Sequence, residues 1–166
     1  MAQRFRDEYQ HYINTATKTG VTGNETWTRE GQGVESLSVS FNPNIDTYKT
    51  ILNRQSDSTF NYYELSSSIS GKRCYSDDAI YDYLNDLRRT ATAGETQLIE
   101  IDTAKTNGTA GNYLATKYDV LITINEWLGE NATISYDINY KNPKNGIATI
   151  SGSTITFTES ADIVSL

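Results

Sequence analysis

Between Tyr118 and Phe157, apolar and polar residues alternate for about forty positions with hardly a turn signal among them. Tyr118, Val120, Ile122 and Ile124 share one parity, as do Ala132, Ile134, Tyr136, Ile138 and Tyr140. Residues two apart on a strand point to the same face, so the pattern describes half-buried antiparallel strands, each with a dry side and a wet side. The wet positions carry Thr, Ser, Asn and Asp rather than the His, Cys or clustered acids that build most active sites. The chain therefore reads as a scaffold and a surface before it reads as a catalyst.

A chain of 166 residues predicts one domain, long enough to bury roughly 70% of its unfolded surface without staples. Its twelve tyrosines suit half-exposed sheets and interfaces, because each joins a large apolar body to a polar tip. Fourteen basic against twenty-one acidic residues leave a net charge of −7, which argues against a nucleic-acid binder built on Lys and Arg. A single cysteine, Cys74, excludes an internal disulfide and a Cys-based metal site, and suits an inert thiol. The opening MAQRFRDEYQ has charges where a signal peptide needs an apolar run, and no stretch approaches the about 18 apolar residues of a membrane span. The expectation is a soluble protein made in a cytoplasm.

Along the chain, residues 1–25 are polar and aperiodic and read as an extended N-terminal arm, followed by a single domain over 26–166. A short strand is expected around Trp27 and an alternating one over 34–41, closed by Asn42-Pro43-Asn44. Tyr48, Ile51 and Leu52 suit a helical turn better than a strand. Residues 54–75 form a long Ser-rich loop, holding one or two strands, in which Phe60, Tyr62 and Tyr63 have no core period. One helix is predicted over 77–90, with Ser76 as its N-cap and Ile80, Tyr83, Leu84 and Leu87 as its apolar stripe. Strands follow over 96–103, 113–126, 130–140, 145–151 and 153–159, with Asn145-Gly146 as one turn and Gly152 as another. The fold class is mainly β: an antiparallel β-sandwich or barrel flanked by one α-helix, with a long loop and an N-terminal arm.

Few residues invite chemistry. His11 has no second His to share a metal or a triad. Asp77 and Asp78 are explained by the helix dipole. Asp119, Glu126, Glu130 and Asp137 cannot be assigned as a catalytic pair from spacing alone. Trp27, Trp127 and the tyrosines fit core and subunit contacts; the alternative is a sugar-stacking platform, which would make the chain a carbohydrate-binding β-sandwich module. No phosphate-loop or dinucleotide fingerprint is present, so no catalytic residue, metal or cofactor is assigned.

The order of parts resembles the major tail protein, or tail tube protein, of long-tailed bacteriophages. The resemblance rests on Thr26-Trp27-Thr28-Arg29-Glu30-Gly31-Gln32-Gly33-Val34, on Leu37-Ser38-Val39-Ser40-Phe41-Asn42-Pro43, on Tyr75-Ser76-Asp77-Asp78, and on Ala148 to Thr156 centred on Gly152. It is a likeness of layout over roughly residues 20 to 160. It implies a virion structural protein, assembled in the host cytoplasm, whose six-membered rings stack into a hollow tube that conducts DNA during ejection. The implied partners are further copies of the chain and other tail proteins: a terminator, a tape measure and, in a contractile tail, a sheath. It implies no enzyme activity, no cofactor and no membrane. Phe60, Tyr62 and Tyr63 are then the expected contacts between copies, and Asp119, Glu130 and Asp137 the expected lining of the lumen.

Overall fold

The computed structural model describes residues 6–20, 24–52 and 54–160. Strands hold 58% of the described residues, in antiparallel sheets around a nearly closed, barrel-like main sheet with, among those residues, a single α-helix. The strands are β1 (Tyr9–Asn14), β2 (Trp27–Arg29), β3 (Pro43–Tyr48), β4 (Asp57–Tyr63), β5 (Ser66–Arg73), β6 (Gly94–Thr106), β7 (Asn112–Leu128), β8 (Thr133–Ser151) and β9 (Thr154–Glu159). The helix α1 spans Ala79–Thr90. In the main sheet the order is β2-β1-β6-β7-β8-β5, with β9 also on β8; β3 and β4 form a separate two-stranded sheet. The nineteen-residue β8 holds the sheet together. It pairs with β7 along most of its length, with β5 over its first half and with β9 over its second.

The alternation that dominates the sequence divides the core into two. Val120, Ile122, Ile134, Tyr136, Ile138 and Tyr140 face α1, which contributes Ile80, Tyr83, Leu84 and Leu87. Ile99, Ile101, Ala115, Ala148 and Ile155 lie in a second cluster, where Trp27 and Phe157 pack over them. Leu98 belongs to the first cluster and Ile99 to the second, as neighbours on a strand must.

Several expectations are corrected. The N-terminal arm of 1–25 contains β1, which lies between β2 and β6 with Ile13 fully buried. Its residues Tyr-Gln-His-Tyr-Ile-Asn lack a clean period, and pairing on both edges supplies the order that local pattern does not. Residues 34–41 make no strand. Val34, Leu37 and Val39 still pack on the core, but the backbone touches a ladder only at Ser40, which exchanges hydrogen bonds of 2.8 and 3.0 Å with Ser66. Tyr48 belongs to a strand, not a helical turn, whereas the 54–75 segment holds two strands, β4 and β5, within the one or two expected.

Asn145-Gly146 is no turn either, since β8 runs straight through it. Gly146 serves close approach instead: a Cβ there would stand 2.2 Å from the Thr158 carbonyl oxygen and 2.7 Å from the Phe157 ring. The two-residue turn at Gly152-Ser153, between β8 and β9, is as expected.

The helix starts at Ala79 rather than Asp77, and its N-cap is Asp78 rather than Ser76. The Asp78 Oδ1 atom accepts the Ile80 N–H at 3.0 Å. At the other end Ala91 adopts a left-handed conformation, and its N–H and that of Thr92 satisfy the last carbonyls.

Candidate functional site: an exposed hairpin, a wet sheet face and a buried charged cluster

The aromatic residues expected as contacts lie on a projecting hairpin. β3 and β4 pair only with each other in the sheet topology, placing Ile45 opposite Phe60 and Tyr48 opposite Asp57. Every residue of β4 is exposed, and in β3 only Asn44 is half-buried. Ile45, Tyr48, Phe60, Tyr62 and Tyr63 are all about half exposed, while Ile51 and Leu52 in the connection are 104% and 93% exposed. The hairpin is anchored at its base: Tyr63 packs edge-on against Phe41 with ring centroids 5.5 Å apart, and Asn42 Nδ2 donates to the Glu64 carbonyl at 2.9 Å. Within it, Asn61 Nδ2 donates to Asn44 and Asp46 and the Phe60 ring lies 4.7 Å from that of Tyr63. Two strands alone are at best marginally stable in water, and this hairpin exposes Ile45, Phe60 and Tyr63 on one face and Tyr48 and Tyr62 among Asn44, Asp46 and Asp57 on the other. The sequence pointed to its second strand through its aromatics; the contribution of Ile45 and Tyr48 went unread because their spacing imitates a helical turn.

Beside the base of the hairpin a groove of about 910 Å³ opens between residues 31–41 and the sheet. Val34, Leu37, Val39, Leu65 and Tyr118 line its apolar part, and His11 and Glu100 its polar end. The His11 Nε2 atom lies 3.4 Å from Glu100 Oε2.

Of the three expected lumen residues, two lie on one sheet face, two rows apart. Asp119 and Asp137 lie on the face of the main sheet turned away from α1, because their neighbours Val120, Tyr136 and Ile138 face it. Successive rows across this face read Ile99-Lys117-Lys144, Gln97-Asp119-Lys141, Glu95-Leu121-Asn139-Ser66 and Thr123-Asp137-Ser68. Asp119 accepts from Asn142 Nδ2 at 3.0 Å and Asp137 from Ser68 Oγ at 2.6 Å. Lys141 Nζ stands 4.0 Å from Glu95. Glu130 does not share the face; it lies exposed in the turn between β7 and β8.

The two tryptophans are engaged within the chain. Trp27 packs on the second core cluster, and Arg88 stacks over Trp127 with its guanidinium carbon 4.2 Å from the ring centroid.

Sequence reasoning missed a buried charged cluster. Lys72 of β5, Glu30 just after β2 and Asp78 at the head of α1 meet inside the first core, with side chains 0%, 1% and 3% exposed. Lys72 Nζ lies 2.7 Å from Asp78 Oδ2 and 3.2 Å from Glu30 Oε1, and donates to the Gln32 carbonyl. Burial, opposed by Lys72, pushes the Glu30 carboxyl above the usual carboxylate range. The neighbouring Tyr136 hydroxyl is held well above its ordinary value by burial and by the Glu30 charge. No spacing rule links positions 30, 72 and 78, so no sequence signal marks the cluster. Cys74 is a half-buried free thiol whose pKa burial raises.

Among the described residues no group of three or more His, Cys, Asp or Glu is placed to hold a metal ion. No protein-family model matches the chain, and no curated protein sequence matches it.

Proposed function

We propose that this chain is a structural protein that polymerises with copies of itself into stacked hexameric rings, forming the hollow tail tube through which a phage genome leaves its particle. The observation that carries the reading is the hairpin, an apolar arm that its own body leaves uncovered. Aromatic side chains in such a position are favoured anchors at interfaces. A head-to-tail contact of an arm on one copy with a groove on the next builds rings or open stacks rather than closed dimers. The groove walled by Val34, Leu37 and Val39 is an apolar receptor of matching character. Both the ring number and the DNA-conducting role rest on the resemblance in the sequence.

The wet sheet face supports the conduit. Glu95, Asp119 and Asp137 share it with Lys141, and the lysines of the adjoining row, Lys117 and Lys144, are paired with Glu25 and Glu159, so a duplex passing along such a wall meets acids and paired lysines rather than free cations. The sugar-binding alternative draws less support, because both tryptophans already have partners within the chain.

The test replaces residues 44–62 with a short Gly/Ser linker, keeping Phe41, Asn42 and Tyr63 as the anchor. The variant is expected to stay folded, with the circular dichroism and melting temperature of the parent body, and to lose the fast-sedimenting polymer that the full chain forms. A linker variant that still polymerises removes the hairpin from the mechanism.

A further inference from the structure

We propose that Lys72 and Asp78 become joined by an intramolecular amide bond that the folded chain makes by itself, with Glu30 as the proton relay. This inference is independent of the tube reading and concerns the buried cluster alone.

The amine stands against two carboxyl groups, 2.7 Å from Asp78 Oδ2 and 3.2 Å from Glu30 Oε1. The amine therefore contacts both carboxyl groups at once, and the Tyr136 hydroxyl stands beside Glu30. The cluster sits among Ile69, Ile134 and Tyr136, each at most 2% exposed. One ammonium cannot neutralise two carboxylates in such surroundings, and burial raises the Glu30 carboxyl above the usual carboxylate range. The proposed reaction passes through the neutral arrangement of the three groups, one amine and two carboxylic acids, the form in which an amine nitrogen has a lone pair to give. The neutral amine then has two N–H groups, for the Gln32 carbonyl and for Glu30, and a lone pair for the Asp78 Cγ atom.

The remaining requirement is a donor where negative charge develops. Asp78 Oδ1 already accepts the Ile80 N–H at 3.0 Å, at the N-terminus of α1. The lone pair of Nζ forms the bond to Cγ, and the carbonyl electrons move onto Oδ1 against that N–H. Glu30 takes the proton released by the nitrogen on one oxygen and delivers its own proton from the other to the Oδ2 hydroxyl. The Cγ–Oδ2 bond breaks, the carbonyl reforms and one water leaves. One C–N bond replaces one C–O bond, Glu30 ends as it began, and no oxidant or external reagent is consumed. The fold supplies the rest by holding the reacting groups in contact. The product ties the end of β5 to the head of α1.

Intact mass measured on purified, denatured full-length chain tests this directly. The expected mass is below the sequence mass by one water. Trypsin, cutting after Arg73, should release a branched peptide in which the Lys72 peptide stays attached through Asp78 to residues 74–88. Glu30→Gln is expected to fold, by circular dichroism, and to show the full sequence mass. Full mass in the folded wild-type chain overturns the proposal, and that measurement stands alone if the variant does not fold. Loss of water without the branched peptide indicates a cyclised aspartate and overturns it equally. A Glu30→Gln chain that loses water as completely as the wild type removes Glu30 from the chemistry.

Discussion

Leu84 has no exposed surface beneath the sheet, so removing most of its side chain leaves a cavity that rigid neighbours on β7 and β8 cannot fill. Leu84→Ala should cost about 2–5 kcal/mol in a denaturant melt of the unassembled protein, and an unchanged midpoint would place the helix stripe on the surface. Gly146→Ala acts in the opposite direction, by excess. Its new Cβ would overlap the Thr158 carbonyl, so β9 must move and the melting temperature should fall. The buried tyrosines set an alkaline limit. Burial pushes Tyr83 and Tyr140 up to about 12, and Tyr136 well above its ordinary 10.0. Because these values are raised on folding, their contribution is complete below 10.0, the unfolded value, and is lost as the pH climbs through about 12. Stability should therefore fall steeply above pH 10, with tyrosinate absorbance rising together with unfolding. Absorbance that rises fully while the fold persists would show that these hydroxyls reach water.

At the scale of the element, the hairpin of β3 and β4 is the segment least supported by its own chain. In dispersed protein its amides should exchange with solvent far faster than those of β7 and β8, and in assembled protein they should become protected. Equal exchange in both states would leave the hairpin without a partner. This element also shows how far local pattern reaches. Phe60, Tyr62 and Tyr63 stood out because aromatics in a polar segment have no core to serve, whereas β3 was hidden by a helix-like spacing of Tyr48, Ile51 and Leu52. The apolar stripe of α1 was legible because Ile80, Tyr83, Leu84 and Leu87 repeat at helical period. Its cap was not, since Ser76 and Asp78 are both good caps and the choice is made by Lys72, which draws Asp78 inward. Asn145-Gly146 is a turn signal in isolation, yet the pairing of β8 with β7 and β9 overrides it. Contacts between residues far apart in sequence decide each of these cases, and the meeting of Glu30, Lys72 and Asp78 is the extreme one.

For the whole molecule, the strand content and antiparallel arrangement were legible because alternation over 118–157 leaves few other ways to bury those side chains. Assembly is a further step, and it places a demand on charge. With a net charge of −7 per copy and the lysines of that sheet face each beside an acid, assembled protein should show no appreciable affinity for duplex DNA even at low salt. Tight, salt-sensitive binding would contradict a passive conduit.

The central claim, self-assembly into a tube, is tested most directly by electron microscopy of the purified chain at high concentration. The account predicts hollow tubes of uniform width built from six-membered rings, with the hairpin of each copy seated on its neighbour. Dispersed single copies at every concentration, with the hairpin still uncovered, would contradict it.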